Sequence, residues 1–364
     1  MSTLKVDSIE NGGSAVNFTT NVQAGNSFPK REYYEQAYEP SGANNAAVWY
    51  DTTNNELKLK INGFWYGVTA SAPMATGNRA LVGGSSGTPG NNVIQYYDIS
   101  STGNAVDFGD LLGNLENAPA CSSGSIAVWG GGRYGSGSFH NVIQFVTIGT
   151  LGNAADFGDL TVARQGLGAA SNISRGLFAG GYDGSATVNT IDFITFPTAN
   201  NATDFGNLDG TYTWLTGTAN QVRALFNKSG SAPAEIDYVT IDTAGNAADF
   251  GNLTVARTTT VGAFSDDTRA VFGGGSNAGT GAKFNTIDYF TIATTGNATD
   301  FGDLTAAASG IGGCANATRG TFNGGVVPQS INTIQYVTIQ TPGNATDFGD
   351  LLAGRGAPAA CSGE

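Results

Sequence analysis

The sequence predicts an all-β fold: a six-bladed β-propeller of four-stranded blades, preceded by a small N-terminal β-hairpin or meander. Three observations carry this expectation. The tripeptide Asp-Phe-Gly recurs six times, with its Phe at Phe108, Phe157, Phe205, Phe250, Phe301 and Phe348. The same ordered series of short apolar segments precedes each copy, and none has the periodicity and caps of a helix. The composition, with 54 Gly, 40% apolar and 12% charged residues, suits short strands, tight turns and a real core. Copies spaced 45–51 residues apart fit one four-stranded blade each. A solenoid of β-units is the alternative that shares this repeat.

Within a unit, the first element is a small-residue segment such as "ARQGLGAA" or "AAASGIGGCA". The second ends in glycine, as in "RALVGG", "RGLFAGG" and "RAVFGGG". It opens with Arg79, Arg175, Arg223, Arg269 and Arg319 in five copies and with Ile126 in the other. The third alternates β-branched and aromatic residues, as in "NVIQYYDI" and "NTIDYFTI", which reads as a strand. The fourth carries "DFGDL" or "DFGNL". Six units need six inner strands, yet seven small-residue segments exist. "VTASAPMA" precedes the first unit and "GRGAPAACS" ends the last. The context of Cys361, "APAACSGE", matches that of Cys121, "APACSSG". Residues 354–362 are therefore expected to supply the inner strand of the first blade and close the ring, with residues 68–75 as the alternative. The propeller is expected over 75–364.

Repeated residues are read as framework. Alternation puts Asp107, Asp156, Asp204, Asp249, Asp300 and Asp347 on the face opposite their Phe neighbours. The Phe residues are expected to fill the space between blades, and the Gly to permit a bulge or close backbone approach. The Asp residues are expected to accept backbone N–H groups in an adjoining turn or to pair with the second-strand arginines. Asp-Phe-Gly also holds magnesium in protein kinases, but no HRD-like segment or phosphate-binding loop accompanies it here. Repeated calcium sites would use Asp110, Asp159, Asp303 and Asp350, with Asn207 and Asn252 in the other copies; no EF-hand-like ligand ladder supports them. Neither metal nor cofactor is expected.

Composition excludes further classes. The net charge is −13, and 22 acidic against 11 basic residues fall in 75–364, which argues against nucleic acid and anionic membranes. Cys121, Cys314 and Cys361 form no metal-binding spacing and read as small buried apolar residues. No apolar run reaches membrane-spanning length, and the first residues lack the apolar core of a secretory signal.

No catalytic residue is expected. His140 is the single histidine, no Ser-His-Asp constellation stands out, and no spacing pairs Asp183, Asp209, Asp266, Asp267 or Glu235. The loops between strands three and four are uniform, as in "TTGNAT" and "TPGNAT". Those between strands two and three diverge, as in "RYGSGSFHN", "YDGSATVN" and "SNAGTGAKFN". They share a face with the four-to-one connections. Arg133, Tyr134, Phe139, His140, Tyr182, Asp183, Lys283 and Phe284 lie there, with aromatic rings suited to stacking on sugars. Drift of unconstrained loops would produce the same divergence.

The first 74 residues are unrepeated. Residues 1–30 read as an attachment segment and 31–74 as a small β module. In the latter, "AVWYDTTNNELKLKINGFWYGV" alternates Leu57, Leu59 and Ile61 with Lys58 and Lys60, one buried and one solvated face. Two resemblances attach to these residues and motifs. The order of strands and the placement of the Gly-Gly pairs resemble the kelch repeat, except that "DFGDL" replaces a Trp-containing outer strand. The start "MSTLKVDSIENGGSAVNF" is similar to the N-termini of tail-fibre-like virion proteins of marine bacteriophages, cyanophages among them. The 47–68 segment looks like a short module of phage fibres, and units such as "GNAADFGDLTVAR" resemble repeats in structural proteins of the same phages. The resemblance implies a virion protein bound to other virion proteins through residues 1–74 and presenting a propeller. Host-surface glycan or protein would be its target. A homo-oligomer is implied, with a trimer as one form, although no heptad segment marks a stalk. A purely architectural capsid or neck decoration and a polysaccharide-degrading propeller are the alternatives.

Overall fold

The computed structural model describes residues 33–36, 47–51, 56–61, 64–68, 76–85, 92–135, 138–229, 234–257, 261–277 and 279–363. The expected attachment segment, residues 1–30, lies outside them. The chain divides into two compact units, Met1–Pro73 and Met74–Glu364.

In the first unit the described strands form one four-stranded sheet in chain order: Tyr33–Gln36, Val48–Asp51, Glu56–Ile61 and Phe64–Val68. The last three pair antiparallel, with Val48 opposite Leu59 and Leu57 opposite Val68. Tyr33–Gln36 adds in parallel beside Val48–Asp51, which the alternation over 47–68 does not predict. Lys58 and Lys60 are half-buried rather than solvated.

The second unit is a ring of six four-stranded antiparallel blades. Blade 1 comprises Arg79–Gly83, Val93–Asp98 and Val106–Asp110, completed by the C-terminal Ala359–Ser362 as its inner strand. There Cys361 lies opposite Leu81 and Ala359 opposite Gly83. The expected closing strand of 354–362 is thus a strand only over its last part. Blades 2 to 6 begin with the inner strands Ala120–Ser122, Gly168–Ser171, Thr216–Ala219, Gly262–Ser265 and Gly312–Ala315. Each inner strand touches the next around the axis, and Gly312–Ala315 touches Ala359–Ser362, so the sheets form a ring and not a solenoid.

The core is divided among the junctions between blades. Among the described residues, six buried clusters each join one blade to its neighbour. The recurrent Phe sits in these clusters, 2–3% exposed in all six copies. A bulge places it there. Gln95 pairs with Asp107 and Ile94 with Gly109, so Phe108 is the extra residue, and the same shift recurs in every blade. The Phe meets the third-strand ring edge-on, as with Tyr96 and Phe108 at 5.9 Å.

The Gly after it is required by close approach. Gly109 has φ +149°, and a Cβ there would lie 2.3 Å from the Gly152 carbonyl oxygen of the next blade. That neighbouring loop is hydrogen-bonded along the outer strand. Gly152 N–H donates to the Phe108 carbonyl and Ala154 N–H to that of Asp110. Asn153 Oδ1 accepts from the Asp110 N–H at 3.0 Å, and five other Asn residues repeat this contact. The three-to-four loops are uniform because each one is sealed to the blade before it.

The expected pairing of the second-strand arginines with the repeat aspartates does not occur. Asp107, Asp156, Asp204, Asp249, Asp300 and Asp347 are exposed, and no ion pair among the described residues involves them. The arginines turn the other way. Arg79, Arg175, Arg223, Arg269 and Arg319 stack over Tyr96, Phe193, Tyr238, Tyr289 and Tyr336, at 4.5–5.0 Å from the ring centroids. Each also donates to a carbonyl of the next blade: Ile148, Ile241, Ile292, Ile339 and Ile99 in turn. In blade 2, Ile126 replaces the arginine and, with Phe145, packs against the buried cluster that contains Phe196. The bulge explains the outcome: it commits Phe to the junction and leaves Asp on the outer, solvated side.

Candidate functional site

Beneath the divergent loops lies a polar position that the repeat supplies six times. Gln95, Gln144, Asp192, Asp237, Asp288 and Gln335 occupy one place on the third strand, all at most 2% exposed. Each accepts a backbone N–H from the preceding blade: from Leu352, Leu112, Thr161, Asp209, Thr254 and Thr305 in the same order. Where the acceptor is Asp, a cation is buried with it. Arg164 Nη1 lies 2.9 Å from Asp192, and Arg257 pairs with Asp288, all four side chains fully buried. Leu115 and Ala308 stand at the arginine position beside Gln144 and Gln335. At the blade 3–4 junction Tyr212 stands at the arginine position, and the cation arrives from another strand. Lys228 Nζ lies 2.9 Å from Asp237.

The predicted loop residues fall into two patches. Blades 2 and 3 contribute the larger. Arg133–Tyr134 forms a short strand against Leu115–Glu116, and the Arg133 guanidinium holds Glu116 at 2.9 Å. Tyr134 and His140 stack with centroids 4.1 Å apart, and Phe139 meets Tyr182 edge-on at 5.7 Å across the two blades. Burial raises the Tyr134 pKa above its ordinary value. Asp183 is occupied within its own loop. Its carboxylate accepts the Ala186 and Ser185 N–H groups and the Ser185 hydroxyl, which lowers its pKa. Lys283 and Phe284 lie on blade 5 and do not join this patch. Lys283 Nζ donates to the Val326 carbonyl at 2.6 Å, and the Phe284 backbone pairs with Gly275 and Ala308.

Two further features escape a reading based on divergent loops, yet both break the repeat. Lys228 stands where the other five copies place a left-handed Gly: Gly84, Gly131, Gly180, Gly274 and Gly324. Its buried ammonium is held by Asp209 at 2.6 Å and Glu235 at 2.9 Å as well as by Asp237. The Tyr212 hydroxyl donates to Asp209, and the Tyr212 ring lies 5.6 Å from the ammonium. Three carboxylates compete for one cation. Burial pushes Asp237 up to about 6, against the pull of Lys228. Asp209 is less buried, and hydrogen bonds from Lys228 and Asp237 outweigh burial and hold it below its ordinary value.

Trp214 is the second feature. Asn117, Gly166, Trp214, Gly310 and Ala357 occupy one repeat position, all with φ between 48° and 66°. A bulky residue in this conformation is strained by ~1–3 kcal/mol. Trp214, half-buried, lines an axial cavity of about 80 Å³ together with Leu167, Ile311 and Pro358. The opposite end of the axis is polar. Ser122, Ser171, Ser265 and Ser362 each donate a hydroxyl to the carbonyl of the same position in the preceding blade. Cys121, Cys314 and Cys361 are free, buried thiols in three adjacent inner strands.

Among the described residues no group of His, Cys, Asp and Glu is arranged to hold a metal ion, and no helix is long and apolar enough to cross a membrane. No known family model matches the chain, and no curated protein matches it.

Proposed function

We propose that this protein is a non-enzymatic binding module of a phage particle, which presents its divergent loop face to a carbohydrate of the host surface. One observation carries the reading. A uniform, sealed frame supports a patch in which Tyr134, His140, Phe139 and Tyr182 come together from two blades, with Arg133 beside them. Aromatic faces flanked by polar groups suit the apolar and hydroxyl surfaces of a pyranose. The N-terminal resemblance supports virion attachment through residues 1–74. The acids also favour binding over cleavage. Asp209 and Glu235 lie near each other, but both are tied to Lys228, and Asp237, whose pKa is raised to about 6, is fully buried, so none of the three is presented to a substrate as the proton donor that glycoside cleavage needs.

The test is binding of the full-length protein to host envelope polysaccharide. Tyr182→Ala and Phe139→Ala are expected to weaken binding at least tenfold, with the unfolding midpoint shifted little. Turnover of the polysaccharide would instead make the protein an enzyme. A particle map with this loop face buried against virion neighbours would make it architectural.

A further inference from the structure

The junction between blade 6 and blade 1 contains a cation for which the described residues supply no counter-charge. Arg355 occupies the position of Arg164 and Arg257 and is 5% exposed. Its guanidinium is placed like that of Arg257. Arg355 Nη1 donates to the Gly84 carbonyl at 2.9 Å, as Arg257 Nη1 donates to the Gly274 carbonyl, also at 2.9 Å. At Arg257 another guanidinium nitrogen then meets the Asp288 carboxylate. At Arg355 the corresponding third-strand residue is Gln95, which is neutral and fully buried.

The Gln95 amide does not replace the lost acceptor. Its oxygen already accepts the Leu352 N–H at 2.7 Å, which leaves its Nε2 facing the interior without a hydrogen-bond partner. Arg355 Nε has none either, which it shares with Arg164 and Arg257, as Gln95 Nε2 shares it with Gln144, so what sets this junction apart is an arginine without a carboxylate. No ion pair among the described residues includes Arg355. Burial lowers its pKa, with no carboxylate to oppose the change, whereas Asp192 and Asp288 oppose it at the other two sites. Residues 86–91, between Arg79–Gly83 and Val93–Asp98 in the sequence, contain no acidic residue either. A buried cation without a counter-charge is among the most costly arrangements in a protein interior.

We infer that Arg355 and the Gln95 amide bind a small monovalent anion, of the size and charge of chloride, where Asp192 and Asp288 place a carboxylate oxygen at the equivalent junctions. The anion completes the junction that the C-terminal strand closes, so it ties ring closure to the ionic medium. The site lies in the frame, and its existence is independent of what the loops bind.

The repeat supplies its own control substitutions. The full-length protein is dialysed into gluconate, an anion too large for a buried site. Its unfolding midpoint is then followed as chloride replaces gluconate at constant ionic strength. A saturating rise of several degrees is expected. Gln95→Asp restores the pair seen at Asp192. It is expected to match or exceed the chloride-saturated midpoint and to lose the chloride response. Arg355→Leu, which copies Leu115, is expected to lose the response as well. Bromide-soaked crystals are expected to show an anomalous peak within hydrogen-bonding reach of Arg355. A midpoint that ignores chloride in the wild type, or a response that persists in Gln95→Asp, overturns the inference. Gln95→Asp decides the matter even where Arg355→Leu fails to fold.

Discussion

The junctions between blades 1 and 2 and between blades 2 and 3 meet the same demand in two ways. In both, a third-strand side chain must accept a buried backbone N–H from the blade before. Gln144 does so as a neutral amide beside Leu115, and Asp192 does so as a carboxylate beside Arg164. The accepted backbone bond is shared, and the charge of the acceptor differs. The cation follows the acid: Arg257 accompanies Asp288, and Lys228 substitutes at Asp237, where Tyr212 stands in the arginine position. The ring therefore requires an acceptor at each junction, and it requires a cation only where the acceptor is ionised. Arg355 beside Gln95 is the single mismatch in this pattern.

The contrast can be broken most severely by leaving a charge alone. Arg164→Ala is expected to destabilise the protein by about 3–5 kcal/mol, because Asp192 stays buried without its partner. Denaturant unfolding measures this, and a loss below about 1 kcal/mol would show that the pair is not a true buried pair. Phe157→Ala and Phe108→Ala should each cost about 3–5 kcal/mol, since the cavity they leave is indifferent to charge. Unequal costs would mean that the two junctions differ in more than their acceptor.

Asp237→Asn probes the crowded junction through pH. The folded Asp237 is raised to about 6 from an ordinary value of 3.8. Its contribution to stability is therefore complete below pH 4 and is lost as pH rises through 6. Relative to the wild type, the Asn variant should gain on the order of 2 kcal/mol between pH 4 and pH 7. A pH-independent gap between the two proteins would refute the assignment.

Replacing the whole pair should matter less. Arg164→Leu combined with Asp192→Gln copies the Leu115–Gln144 junction and is expected to lie within about 1 kcal/mol of the wild type, far from additivity of its single changes. Smallest of all, Asp300→Asn should change stability by less than ~0.5 kcal/mol, because that carboxylate is exposed.

Much of the frame was legible in the sequence. The six Asp-Phe-Gly copies announce six units, and the Gly in each predicts the bulge seen at Gly109 and its equivalents. The likeness of the contexts around Cys121 and Cys361 points to the terminal strand that pairs with Arg79–Gly83. The candidate site was legible in part. Tyr134, Phe139, His140 and Tyr182 do converge, whereas Lys283 and Phe284 lie apart because loops two blades away share a face without sharing a patch. Lys228 and Trp214 carried a signal of another kind, being departures from glycine or a small residue at a repeat position rather than members of a divergent loop.

The sequence by itself determined what is local or periodic: strand alternation, the number of units, the glycines and the uniform loops. These follow from chain geometry within a few residues and from repetition. Only the tertiary structure decided which acids are buried and which cations meet them. Alternation sorts Asp107 and Phe108 to opposite sides, but it does not say which side faces the next blade. Arg164 and Asp192 are separated along the chain and meet only because adjacent blades stack. A buried charge is set by its neighbours in space, and in a ring those neighbours come from the next repeat.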